Sequence, residues 1–251
     1  AMALEANVSE PTVNRFCRSM DTRGFPDFKL HLAQSLANGT PYVNRNVNED
    51  DSVESYTGKI FESAMATLDH VRHSLGKCAI YRAVDLLTQA KKIAFFGLGS
   101  SAAVAHDAMN KFFRFNVPVV YSDDIVLQRM SCMNCSDGDV VVLISHTGRT
   151  KNLVELAQLA RENDAMVIAL TSAGTPLARE ATLAITLDVP EDTDIYMPMV
   201  SRLAQLTVID VLATGFTLRR GAKFRDNLKR VKEALKESRF DKQLLNLSDD
   251  R

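Results

Sequence analysis

The sequence predicts an α/β fold: a doubly wound, five-stranded parallel sheet preceded by a small all-α domain. Three observations predict it. Val140-Val141-Val142-Leu143-Ile144 is apolar without interruption between Gly138 and Ser145, the texture of a strand covered on both faces. From Lys92 onward, short apolar runs alternate with amphipathic helical stretches, the pattern of βαβ units. Upstream, a stretch over 38–55 rich in Asn, Gly and Pro interrupts a helical beginning and reads as a linker.

The elements follow in order. Residues 1–6 read as the end of a helix with no N-cap before it, which predicts that the first helices of the N-terminal domain lie outside this chain. Asn7-Val8-Ser9 reads as a turn. Ser9 is a good N-cap, and Pro11 is tolerated in a first turn. The helix so begun runs to about Ser19, with Val13, Phe16 and Cys17 inward and Thr12, Asn14, Arg15 and Arg18 outward. Gly24 and Pro26 break the pattern, and Asp27–Leu36 reads as a short helix with Phe28, Leu32 and Leu36 inward. Residues 1–40 are therefore expected to form a partial domain, 41–52 a linker and 53–251 the large domain with its flanking helices.

Val53, Tyr56, Ile60, Ala64, Leu68, Val71 and Leu75 recur at helical spacing and predict a long amphipathic helix. A second helix covers Ala79–Gln89. Strands are expected at Ile93–Phe96, Val117–Tyr121, Asp139–Ile144, Met166–Leu170 and Leu183–Leu187. Between them fall helices through Ala102–Phe113, Ile125–Met133 and Asn152–Glu162. Two more, Met197–Leu218 and a charged amphipathic tail over Phe224–Arg239, close the chain.

Composition narrows the function. The chain has 251 residues, 46% hydrophobic and 24% charged, with net charge −1. No global field draws it to nucleic acid or membrane, so any such contact is local. No apolar stretch approaches the roughly 18 residues that span a bilayer, and a cytoplasmic protein is the expectation. Cys132-Met-Asn-Cys135 has the spacing of a redox pair or half a zinc site. There is no second such pair, and reduced structural thiols are the better reading. No metal or cofactor is expected.

The chemistry lies in two loops at strand ends, where open parallel sheets bind ligands. The first is Gly97-Leu98-Gly99-Ser100-Ser101, the second Ser145-His146-Thr147-Gly148-Arg149-Thr150. Glycines let the backbone approach a ligand. The helices that follow offer unpaired N–H groups and a positive dipole end to phosphate, and hydroxyls add uncharged donors. Simple helix capping explains one such loop but explains two less well. A nicotinamide site is a rival: Gly97-x-Gly99-x-x-Ala102 matches a relaxed dinucleotide fingerprint, and Asp123 or Asp124 follows about 20 residues on. That site does not need the second loop.

With these loops, the span from about Ile93 to Ile209 resembles a SIS (sugar isomerase) domain. The resemblance implies that Ser100, Ser101, Ser145, His146, Thr147, Gly148 and Thr150 wrap a phosphosugar, with Arg202 and Gln205 approaching from a helix. Isomerases of that family also use an acid/base pair. Residues 173–175 and 193–198 offer no His and no convincing Glu, so no catalytic residue is assigned. Binding without turnover is the reading, and a phosphosugar isomerase the alternative.

The string Val8-Ser-Glu-Pro-Thr-Val-Asn-Arg-Phe-Cys-Arg18, followed by Gly24-Phe-Pro-Asp-Phe-Lys29, resembles the second half of the helix-turn-helix of RpiR-type regulators. Those join such a domain to a C-terminal SIS domain, the order of modules here. The resemblance implies DNA contacts from Ser9, Glu10, Thr12, Asn14, Arg15 and Arg18. It further implies a transcriptional repressor of sugar-catabolism genes. Its partners would be operator DNA and a phosphorylated sugar acid, 2-keto-3-deoxy-6-phosphogluconate. A homodimer or homotetramer would match two-fold operators, and the long helix from Val53 would carry the effector signal to the DNA-binding domains.

Overall fold

The structure, a computed structural model, describes residues 8–19, 22–29, 46–194 and 197–234. The helix end expected over 1–6, residues 30–36 of the second short helix, the loop residues 38–45 and the last part of the tail helix lie outside the described residues. The chain divides into two units, 1–65 with 191–197, and 66–190 with 198–251.

In the first unit, α1 (Glu10–Ser19) starts where the cap predicts. The Thr12 N–H donates to Ser9 Oγ at 3.4 Å, and the two hydroxyls lie 2.9 Å apart. Cys17 is buried and Val13 half-buried, as expected. Phe16 is not inward: it is 51% exposed and meets Phe28 edge-on, at 5.9 Å between ring centroids. Residues 25–29 form a helical turn. Its opening N–H, that of Phe25, donates to Asn14 Oδ1 at 3.2 Å.

The long helix α2 (Val53–Ser74) has a carboxylate at its start. Asp51 takes Lys59 Nζ at 2.7 Å, Ser55 Oγ at 2.9 Å and the Asn48 N–H at 2.8 Å. The ammonium of Lys59 above all lowers the Asp51 pKa to about 2. The apolar stripe is only partly used. Val71 is buried and Ile60, Ala64, Leu68 and Leu75 half-buried, but Val53 and Tyr56 are exposed. The core cluster that takes up Val71 and Leu75 does not extend to them.

In the second unit, α3 (Lys77–Gln89) leads into β1 (Lys92–Gly97), α4 (Ser100–Phe112) and β2 (Val119–Tyr121). Then come α5 (Ile125–Met133), β3 (Asp139–Ile144), α6 (Lys151–Glu162), β4 (Met166–Thr171), α7 (Pro176–Glu180), β5 (Leu183–Thr186) and α8 (Val200–Ala234). The five strands are parallel, in the order β2-β1-β3-β4-β5. Strand side chains alternate between two cores. Ile93, Phe95, Val140, Val142, Ile144, Ile168 and Leu170 meet α3, α4 and α8. Ala94, Phe96, Val141, Leu143, Val167 and Ala169 meet α6, α7 and Cys132 of α5. All six residues of β3 are buried, as its unbroken apolar run requires.

Three details differ from expectation. Phe113 points out, 73% exposed, because the chain tightens there into a 3-10 turn, Phe113–Phe115, and the core takes Phe112 and Phe115 instead. The two expected C-terminal helices run on as α8, bent at Gly221, whose φ of 76° and ψ of −164° are non-helical. The short α7 was not anticipated.

Burial settles the state of the Cys132 thiol. Desolvation pushes its pKa up to about 12, so at pH 8 it stays the protonated, unreactive thiol. Iodoacetamide at pH 8 is expected to label exposed Cys78 within minutes and leave Cys132 unlabelled, as read by peptide mass spectrometry. Rapid labelling of Cys132 in the native protein would contradict its structural role. Among the described residues, no helix is long and apolar enough to cross a membrane, and no group of three acidic, His or Cys side chains is gathered to hold a metal.

Candidate functional site

The strand order places the candidate site. After β1 the chain moves outward to β2, then crosses back to lay β3 on the other side of β1. The crevice at this reversal is where doubly wound sheets bind ligands. Gly97, the last residue of β1, is in register with Ile144, the last of β3. The two loops singled out in the sequence therefore leave the sheet side by side.

The first loop is compact. A Cβ on Gly97 would lie 2.5 Å from the Ser101 carbonyl oxygen, so only glycine lets α4 start so close to the strand. Gly99 occupies the N-cap position with φ 58° and no neighbour on its Cβ side, leaving that side open to a ligand. Ser101 N–H donates to the Leu98 carbonyl at 3.2 Å and Ala102 N–H to the Gly99 carbonyl at 3.1 Å. No side chain caps α4. Ser100 is half-buried, Ser101 only 8% exposed, and neither hydroxyl is spent on the cap.

The second loop is folded on itself. Buried Ser145 donates its N–H to the Leu170 carbonyl at 3.0 Å and accepts the Gly148 N–H on Oγ at 3.1 Å. Thr147 Oγ1 accepts from the Arg149 N–H at 3.4 Å. Gly148 has φ 58°, and a Cβ there would press on Thr175 and lie 2.5 Å from Thr171 Oγ1. Thr150 is the N-cap of α6 but its hydroxyl caps nothing. Two helix starts, α4 and α6, thus present their positive ends and unspent hydroxyls beside one crevice, an arrangement suited to a phosphate. Arg149 and Lys151 are exposed at its rim, and His146 is half-buried.

A third loop, not singled out in the sequence for this role, holds the second in place. Ser172 donates both its N–H, at 3.1 Å, and its hydroxyl, at 2.8 Å, to the His146 carbonyl. Leu177 N–H donates to the Gly148 carbonyl at 3.1 Å, and Thr175 caps α7 by accepting from Ala178 N–H at 3.2 Å. The signal was legible: Thr171-Ser-Ala-Gly-Thr-Pro176 follows a strand, with a capping Thr before a Pro suited to a first helical position.

Other expected residues are placed as follows. Arg202 is exposed in the first turn of α8, and no described contact brings it to the loops. Gln205, on the same helix, is 2% exposed. Of the two acidic residues of the dinucleotide reading, Asp123 and Asp124, the second is committed elsewhere: its carboxylate caps α5, accepting from Val126 and Leu127 N–H at 2.8 and 2.9 Å. A groove of about 430 Å³ between the end of α4 and α8 contains Lys111. That ammonium is paired with Asp107 and Asp210 at 2.9 and 3.0 Å, so the charge of Lys111 is already answered.

In the first unit, the six residues expected to contact DNA divide into two sets. Ser9 and Thr12 form the cap, and Asn14 holds the following turn through Phe25. Glu10, Arg15 and Arg18 are exposed, and neither arginine has an ion-pair partner among the described residues.

A family model described as SIS domain matches residues 86–215, and one described as helix-turn-helix domain, rpiR family, matches residues 1–39. The HTH-type transcriptional regulator HexR of Escherichia coli K12 is 99% identical over 251 residues, covering 100% of this chain and 87% of that protein. The HexR of Pseudomonas aeruginosa is 57% identical over 240 residues, covering 96% of this chain and 84% of that protein. Among solved structures, the Vibrio vulnificus NanR protein complexed with ManNAc-6P superimposes with a TM-score of 0.67 at 24% identity, covering 95% of this chain and 85% of that one.

Proposed function

The chain belongs to the HexR family of HTH-type transcriptional regulators, with an rpiR-type helix-turn-helix and a SIS domain, and from that premise we propose a repressor of sugar-catabolism genes released or retained by 2-keto-3-deoxy-6-phosphogluconate. Residues 1–40 would belong to the DNA-binding domain, 41–52 to the linker and 53–251 to the effector domain. Assembly as a homodimer or homotetramer in the cytoplasm would match a two-fold operator.

The observation that carries the reading is the convergence of two helix starts at the sheet's reversal point, with glycine backbone and unspent Ser and Thr hydroxyls between them. The effector's phosphate fits the helix starts. Its carboxylate calls for a cation, which Arg149 or Arg202 would supply. Ser100, Ser101, Ser145, His146, Thr147, Gly148 and Thr150 would line the ligand. Ser9, Glu10, Thr12, Asn14, Arg15 and Arg18 are the DNA-facing set, of which the two arginines carry the charge. Ligand would shift occupancy through its different affinity for DNA-competent and incompetent arrangements.

The test is a thermal-shift and gel-shift pair. At 100 times its dissociation constant the effector should stabilise the fold by about 2.7 kcal/mol. Ser101→Ala and Ser145→Ala should each weaken effector affinity roughly 10- to 150-fold, a charge-assisted hydrogen bond being worth roughly 1.5–3 kcal/mol, while operator binding without effector is retained. Unchanged affinity in both variants would sink the loop assignment. Stabilisation by NAD instead, or turnover of phosphosugars, would move the reading to the nicotinamide or isomerase alternative.

A further inference from the structure

We propose that Gln128, on α5, is a positioning residue for the effector loop Gly97–Ser101; the inference rests on the effector reading above. Gln128 is fully buried. Its Nε2 donates to the Ser122 carbonyl at 2.7 Å and lies 3.4 Å from the Gly97 carbonyl. Two carbonyls face one terminal atom of the carboxamide, which identifies that atom as the nitrogen, since a carbonyl only accepts.

The sheet explains why such a group is needed there. β1 and β2 pair in register only as far as Phe95 and Tyr121. Beyond that point β1 continues to Gly97 while the neighbouring strand ends and turns away at Ser122. The carbonyls of Gly97 and Ser122 lose their ladder partners on this side, and a buried carbonyl without a donor is costly. The two hydrogens of one carboxamide answer both. Gln128 thereby extends the sheet by one side-chain rung, at the residue from which the phosphate-binding loop departs.

The support is rigid. Asp124 caps α5 with two hydrogen bonds, Asp124 N–H donates to Ser122 Oγ at 3.1 Å, and Gln128 N–H donates to the Asp124 carbonyl at 3.0 Å. The carboxamide is thus presented from a helix start tied to the same turn whose carbonyl it holds. Its Oε1 is buried without a hydrogen-bond partner. A residue serving only to fill the core would be better apolar; an unmet acceptor kept at the base of the loop is tolerated for the sake of the donors. A shift of the first loop on ligand binding would be felt by α5 through this rung, and fixing the rung holds Gly99 and Ser100 where their backbone meets the phosphate.

The experiment uses the full-length regulator and 2-keto-3-deoxy-6-phosphogluconate, with calorimetric affinity, melting temperature and operator gel-shift measured on each protein. Gln128→Met keeps the volume and removes both donors. Gln128→Glu keeps the shape and an acceptor but withdraws the donors. The expected result is a melting temperature within a few degrees of wild type for Gln128→Met, unchanged operator binding without effector, and effector affinity at least tenfold weaker. Amide hydrogen exchange should speed up at Gly99–Ser101 and not at Ser145–Gly148. Should Gln128→Met fail to fold, the exchange rates in Gln128→Glu carry the same test. Wild-type effector affinity in Gln128→Met, or equal loss of exchange protection in both loops, would overturn the proposal. If wild type itself binds no effector, the effector reading fails instead, and the two failures are distinct.

Discussion

Alanine at Gly148 is expected to lower the melting temperature by roughly 5–15 °C and to abolish the response to 2-keto-3-deoxy-6-phosphogluconate. Two penalties act together. The residue sits at φ 58°, where an L side chain costs about 1–2 kcal/mol. The added methyl would also press on Thr175 and lie 2.5 Å from Thr171 Oγ1, an overpacking of about 1–3 kcal/mol. Relief requires the second loop to lift off the third. That would break the Gly148 N–H bond to Ser145 and the Leu177 N–H bond to the Gly148 carbonyl. The geometry proposed to face the phosphate is then lost even in molecules that fold. Differential scanning fluorimetry with and without effector reads both effects. A variant that melts like wild type would show that the loop is not held as described. One that melts lower but responds fully would detach this loop from effector binding.

That the loops themselves carry sequence signals, while the clamp the third lays on the second does not, has a physical explanation. β3 announces itself because a strand buried on both faces has no polar alternation, and all six of its residues are buried. The glycines at 97, 99 and 148 are conspicuous because each meets a backbone need no other residue serves. The clamp over 171–177 works through main-chain carbonyls of His146 and Gly148, and any sequence has carbonyls there. Gln128 was invisible for the same cause: its partners are two carbonyls, at 97 and 122, that only the strand register brings together. The exposure of Phe16, Val53 and Tyr56 failed to follow periodicity because helical spacing tells which residues share a face, and not whether another element covers that face.

Replacing Arg15 and Arg18 with alanine in the full-length regulator is expected to weaken operator binding about a hundredfold per half-site, and the structure sharpens why these two carry the effect. Of the six residues expected to contact DNA, Ser9 and Thr12 hold the helix start and Asn14 holds the Phe25 N–H. Their loss should act mainly through folding of the domain. Arg15 and Arg18 are exposed, have no ion-pair partner among the described residues, and differ by three positions, which puts them on one side of the helix. A chain of net charge −1 has no general attraction to DNA, so its electrostatic binding must come from such local cations. A phosphate contact contributes about 0.9 to the slope of log affinity against log salt, and a contact to a guanine edge contributes roughly 1–3 kcal/mol of base discrimination. Salt titration therefore separates the roles. If both arginines meet phosphate, the double variant should bind with a slope shallower by about 2 per half-site and lose affinity evenly across operator variants. If one reads a base, the slope changes less and discrimination collapses at one operator position. Asn14→Ala supplies the contrast: a lower melting temperature with an unchanged salt slope. Full operator affinity in the double arginine variant would show that the DNA is held by other residues, and α1 would then be a packing element and not the helix that reads the operator.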